Sequence, residues 1–177
     1  MDFERIGVHE VWQGRIARVR VETWRLDDGA EVEREVVGHP GAVAVVAHDG
    51  ERLFMVTQPR EAVGDPALLE LPAGKLDEED EDVLDTAKRE LAEEIGKAAR
   101  SWRHLTSFWS SPGFSDEEIH VYLATDIYDS QAEAEENERI EIETVPLSRL
   151  DDAIHRCRDA KSLVGLLWLN AFCAGGE

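Results

Sequence analysis

Apolar and charged positions alternate along GRIARVRVETWR, residues 14–25. Ala17, Val19 and Val21 are apolar, and Arg18, Arg20 and Glu22 are charged. A period of two predicts a half-buried β-strand. LDDGAE follows as a turn signal and VEREVVG as a return strand, so a hairpin is expected up to about Gly38. After His39-Pro40-Gly41, the run AVAVVA is short, continuous and rich in valine, which predicts a strand buried on both faces. HDGE turns the chain into RLFMVTQ, a further strand expected to stop at Pro59, and ALLELPAG reads as a short strand entering a loop.

The period then changes. Leu84, Ala87, Leu91, Ile95 and Ala98 recur at three and four residues, the spacing of a helix with one apolar stripe. Asp82 suits its N-cap and Gly96 lies near its C-terminal end. SWRHLTSFW and EEIHVYLAT read as two strands joined by the loop SSPGFSDE, and residues 126–137 as a polar, mobile loop. RIEIETV alternates as a last strand, and LSRLDDAIHRCRD and KSLVGLLWLNAFC read as helices. Hairpins mixed with covering helices give an α+β class: a mixed sheet between helices, with an N-terminal antiparallel hairpin extension. The expected organisation is residues 1–38 as that hairpin and 39–177 as the main domain.

Composition narrows the function. The 177 residues carry 39 acidic and 19 basic side chains, a formal net charge of −20. Such a charge disfavours nucleic-acid backbones and anionic membranes as partners and favours cation binding. It also makes adjacent acids common, so an acidic motif has to be judged by its spacing and its non-acidic members. No run approaches the ~20 apolar residues of a membrane helix, and MDFERIGVHE lacks the apolar stretch of a secretory signal. Cys157 and Cys173, without metal-type spacing, read as reduced thiols of a cytoplasmic protein. The six histidines are scattered and are expected to have no catalytic role.

On the predicted helix, Glu90 and Glu94 lie four apart at the edge of the stripe, and Glu93 lies one turn beyond Arg89. Like charges at that spacing need neutralising, and a divalent cation with oxygen ligands would do it. A solvated acidic face with a weak Arg89–Glu93 pair is the alternative.

Arg89-Glu90-Leu91-Ala92-Glu93-Glu94-Ile95-Gly96 resembles the second half of the Nudix box, with Glu81 at the correct distance before Arg89. The segment departs from the box in one extra residue between Gly74 and Glu81 and in Lys97, where the box has an aliphatic residue. The resemblance implies that Glu90 and Glu94 bind metal, Mg²⁺ with Mn²⁺ as a substitute. It further implies that Glu93 adds a ligand, directly or through water, and that the Ala73 carbonyl is another. Arg89 would orient the glutamates together with Glu81, which reads equally as the acid at the helix N-terminus. Gly74 would let the backbone turn close to the metals.

Pro112 in SSPGFSDE, about sixteen residues past Gly96, together with LLELPAG, WQGRI and SLVGLLWLNAF, is similar to the ADP-ribose pyrophosphatase branch. That branch implies hydrolysis of ADP-ribose to AMP and ribose 5-phosphate. Another nucleotide sugar such as GDP-mannose, or a non-catalytic nucleotide-binding module, stands as the alternative. It also implies a homodimer whose N-terminal strands, with Trp12 and Arg15, help form the partner's adenine pocket. A base on the loop before the last strand falls on AEENERIEIE: Glu136 is the candidate base and Glu138 an added metal ligand, in a crowd of acids that reads otherwise as a solvated charge run. Arg60 in TQPRE is either a phosphate contact or a surface arginine paired to an acid. Glu70, and Glu117 or Glu118, are unranked candidates for ribose or metal contact. Trp12 and Trp109 offer stacking surfaces or are packing residues.

Overall fold

A computed structural model describes residues 2–76, 82–130 and 139–175, without the side chains of 172–175. The chain divides into two compact units: residues Met1–Gly41 with Phe108–Glu118, and Ala42–Ser107 with Ile119–Glu177.

The first unit holds a three-stranded antiparallel sheet of β1 (Phe3–Gln13), β2 (Arg18–Leu26) and β3 (Glu31–Gly38), in that order. The expected hairpin is β2–β3; β1 was not anticipated. Two register shifts against β2, between Arg5 and Gly7 and between Glu10 and Trp12, break the alternation that would have marked it as a strand. The 108–118 segment belongs to this unit as well, which is therefore wider than the expected residues 1–38. It is tied to β3 by the Val37 N–H donating to the Phe114 carbonyl at 2.7 Å and by the His39 N–H donating to Asp116 Oδ1 at 2.9 Å.

The second unit is built on a seven-stranded mixed sheet. Its strands are β4 (Ala42–His48), β5 (Arg52–Arg60), β6 (Asp65–Glu70), β7 (Ala73–Lys75), β8 (Lys97–Trp109), β9 (Glu118–Asp129) and β10 (Glu141–Pro146). The main order is β10-β5-β4-β9-β8, with β6 added to β5 and β7 to β4. β4 runs parallel to β9 and antiparallel to β5 and β7. The helices are α1 (Val83–Ile95), α2 (Leu150–Arg156) and α3 (Ala160–Gly175).

Residues Val43–Ala47 are fully buried, as a run apolar on both faces requires. Val43, Val45 and Ala47 pack with Ala87, Leu91 and Ile95 of α1, while α3 covers β4 as well. Complete burial of a residue such as Leu91 contributes roughly 1.5–3 kcal/mol. Asp82 caps α1 by accepting the Leu84 N–H at 2.9 Å. Gly96, at φ 64°, closes it in the left-handed conformation glycine adopts without penalty.

Three expectations are corrected. Pro59 does not stop β5, which continues to Arg60; the missing N–H is absorbed by a register shift between Gln58 and Arg60 against β6. Ala98 leaves the helical stripe and enters β8, because Gly96 ends the helix first. Residues 126–129, expected in a loop, belong to β9, with Asp126 accommodated at φ 55°.

Candidate active site

The site is assembled where the turn between β6 and β7 meets α1. Three backbone groups of this turn are engaged. The Leu71 N–H donates to Ser162 Oγ at 2.7 Å, the Pro72 carbonyl accepts the Val45 N–H at 2.8 Å, and the Ala73 N–H donates to Glu94 Oε2 at 2.9 Å. Glu94 is only 9% exposed, so its carboxylate is held inward by the turn rather than lying on a solvated face.

Arg89 binds the two neighbouring carboxylates. Arg89 Nη1 donates to Glu90 Oε1 and to Glu93 Oε2, both at 2.9 Å. Glu90 lies directly against the turn: a Cβ added to Gly74 would fall 1.9 Å from Glu90 Cδ and 2.0 Å from Oε1. Gly74 thus provides a cradle that any side chain would fill. Ala73, Gly74, Arg89, Glu90, Glu93 and Glu94 are therefore brought together. Their oxygens are hard donors of the kind Mg²⁺ and Mn²⁺ take, and the residues fit such an ion. Among the described residues, no group of three or more histidine, cysteine or carboxylate side chains stands in a metal-holding arrangement; the carboxylates are turned onto Arg89 and the Ala73 N–H.

Beside this turn sits an ionic network around a buried carboxylate. Glu70 is 0% exposed. Its Oε1 accepts Arg60 Nε at 2.6 Å, and its Oε2 accepts Arg60 Nη2 at 2.8 Å and Lys161 Nζ at 2.5 Å. Burial alone would raise the Glu70 pKa, but the hydrogen bonds and charges of Arg60 and Lys161 outweigh it and leave the carboxyl below its usual value. The Arg60 pKa is raised, chiefly by its hydrogen bond to Glu70. Arg60 is paired to an acid, as one of its two readings had it, yet its side chain stays 42% exposed. Lys161, Ser162 and Asp159 were missed. The local signal was Asp159-Ala-Lys-Ser162, an acid three residues before a serine at the head of an apolar helix.

Trp12, Arg15 and Pro112 lie in the other unit. Trp12 is the penultimate residue of β1 and is exposed, Arg15 is exposed in the turn after it, and Pro112 sits in the 108–118 segment. Pro112 borders a cleft of about 720 Å³ with Phe3, Arg5, Trp24, Arg34 and Phe114. Its floor includes Glu22, expected on a charged outer face but buried, where it accepts Arg20 Nε at 2.7 Å and Arg5 Nη1 at 3.0 Å. Glu117 lies 3.4 Å from His39 Nδ1, and Glu118 opens β9. Trp109 is exposed at the end of β8. Glu81, Glu136 and Glu138 lie outside the described residues. Among the described residues, no helix is long and apolar enough to cross a membrane.

Known proteins resemble this chain in sequence and in fold. The NUDIX domain family model matches residues 38–163. The chain is 35% identical to an ADP-ribose pyrophosphatase of Bacillus subtilis (strain 168), over 96% of this chain and 93% of that protein. It is 36% identical to a methanol dehydrogenase activator of Bacillus methanolicus, over 93% and 90%. Identity reaches 46% with an ADP-ribose pyrophosphatase of Mycobacterium tuberculosis, over 70% of this chain and 60% of that one. A solved structure described as an ADP compounds hydrolase superposes with a TM-score of 0.86 at 21% identity, covering 99% of this chain and 96% of its own, a match of fold.

Proposed function

The chain belongs to the NUDIX domain family, and on that premise we propose that it is a metal-dependent hydrolase splitting the pyrophosphate of ADP-ribose into AMP and ribose 5-phosphate. The observation that carries this reading is the meeting of the α1 carboxylates with the Ala73–Gly74 turn. Relatives named ADP-ribose pyrophosphatase support the substrate.

Glu90, Glu94 and the Ala73 carbonyl would hold a divalent cation, Mg²⁺ or Mn²⁺, with Glu93 and Glu138 adding ligands. Bound there, the ion would polarise phosphoryl oxygens and neutralise the leaving phosphate. The protein's own part is to fix these groups in advance. Arg89 sets the planes of Glu90 and Glu93, and the Ala73 N–H sets that of Glu94. Arg60, its guanidinium oriented by Glu70 and still half exposed, is the phosphate contact. Glu136 takes the proton from the attacking water as a new P–O bond forms and the bridging P–O bond breaks. In a homodimer, Trp12 and Arg15 serve the adenine pocket of the partner, and Pro112 is a further substrate contact.

The enzyme acts as a cytoplasmic homodimer in this reading. β1 is an edge strand of its sheet and exposes Phe3, Ile6, Val8, Val11 and Trp12, which supports self-association through the N-terminal strands. Light scattering on the eluting protein tests the dimer.

Product analysis tests the chemistry: ADP-ribose incubated with Mg²⁺ should give AMP and ribose 5-phosphate, and with EDTA none. Faster cleavage of GDP-mannose would reassign the substrate. Binding without any product would leave a nucleotide-binding module.

A further inference from the structure

The turn that carries Ala73 and Gly74 is held from two helices. Glu94 of α1 takes the Ala73 N–H from one side. Two residues earlier, the fully buried Leu71 donates its N–H to Ser162 Oγ, itself fully buried in the first turn of α3.

The hydroxyl can accept this bond because its single proton is committed elsewhere. Ser162 Oγ donates to Asp159 Oδ2 at 2.6 Å, which turns a lone pair toward Leu71. Asp159 is immobilised in turn, since its Oδ2 also accepts the Ser162 N–H at 3.0 Å and Lys161 Nζ at 2.9 Å. Lys161 reaches on to Glu70. Residues 70 and 71 are thus both fastened to the head of α3, and Pro72 between Leu71 and Ala73 has no N–H with which to find another partner. Without Ser162 the Leu71 N–H would be left buried and unpaired. The turn would then shift to satisfy it, carrying the Ala73 N–H away from Glu94.

We propose that Ser162, set by Asp159, is a positioning residue for the cation-binding turn: it holds the Leu71–Ala73 backbone where Glu94 and the Ala73 carbonyl can share one divalent ion. This rests on the reading of α1 and the turn as the cation site.

The test compares the full-length protein with Ser162→Ala, Asp159→Asn and a control, Leu169→Ala, which truncates another buried residue of α3 about two turns beyond Ser162. Mn²⁺ affinity is measured by electron paramagnetic resonance without substrate, and kcat and KM for ADP-ribose at saturating Mn²⁺, below the melting temperature of every variant. Ser162→Ala should weaken Mn²⁺ binding about tenfold and lower kcat similarly, as expected for one lost buried hydrogen bond, with KM within about twofold. Asp159→Asn, a milder change, should move both in the same direction. Leu169→Ala should lose stability but keep Mn²⁺ affinity. Mn²⁺ affinity and kcat unchanged in Ser162→Ala, or a loss matched by Leu169→Ala, would overturn the proposal, as would a wild type that binds no Mn²⁺. A wild type that binds Mn²⁺ but leaves ADP-ribose intact would remove only the substrate reading, and the affinity comparison would still decide the role of Ser162.

Discussion

Replacing Gly74 by alanine should separate activity from stability. The added Cβ would lie 1.9 Å from Glu90 Cδ and 2.4 Å from Cγ, whereas ordinary contact begins near 3.4 Å. The carboxylate must therefore withdraw by about 1.5 Å to restore a van der Waals distance. It has the freedom to do so, because the atoms displaced are the far end of a flexible side chain and not backbone. Gly74 is not among the glycines with positive φ, so alanine suits its conformation and gains about 0.4–1 kcal/mol by restricting the unfolded chain. The fold should hold or strengthen. Catalysis should not: misplacing a reacting group by 1 Å costs about 10²-fold, so kcat/KM for ADP-ribose with Mg²⁺ should fall about 100-fold or more. The assay is AMP release across substrate concentration, with melting followed by circular dichroism. Repeating the change in a Glu90→Gln background isolates the cause, since coupled residues are not additive. Gly74→Ala should add little there. The reasoning fails if the single variant keeps activity within about threefold, or if its effect in the Glu90→Gln background is as large as in the wild type.

Glu94→Gln should abolish metal-dependent turnover while the protein still folds, because an amide oxygen can still accept the Ala73 N–H; wild-type rates would refute its place as a ligand. Glu136→Gln should lower kcat by roughly 10²–10⁴, and a loss under tenfold would move the base to a neighbouring glutamate. Glu70 titrates below its usual 4.5 in the folded protein, so its ion pairs favour folding above that pH and the contribution is lost as pH falls through the lower folded value. Melting temperature should therefore drop on acidification below about pH 4.5, and Glu70→Gln, less stable at neutral pH, should drop less steeply; parallel curves would show that Glu70 contributes nothing to the acid limb.

What the sequence made legible was local. The α1 stripe, its caps and the buried run at β4 each follow from side-chain period and a few terminal residues. The site's helical half was equally plain, since Arg89, Glu90, Glu93 and Glu94 share one helix. Lys97 looked like a defect in the pattern, and packing explains it: its ammonium bonds Asp129 and lies 5.6 Å from the Phe54 ring centroid, so its aliphatic stem covers apolar surface. The support that the turn receives from α3 was not legible. Ser162 meets Leu71, and Lys161 meets Glu70, across 91 positions of chain, and no local period encodes such a partner. Glu22 was misplaced for a similar reason, because its burial depends on Arg5 arriving from a strand whose register shifts hid it.

The double attachment of Arg60 to a wholly buried carboxylate has a consequence for any alanine scan of this enzyme. Truncating Arg60 would remove the phosphate contact proposed for it and at the same stroke leave Glu70 with half its cationic company, two residues from Pro72. A lost rate would then mix a missing ligand contact with a displaced scaffold, and the larger effect would be credited to the wrong one. Pairing Arg60→Ala with Arg60→Ala/Glu70→Gln separates them: whatever activity the second change restores belonged to the stranded charge, and the remainder is the true measure of contact with phosphate.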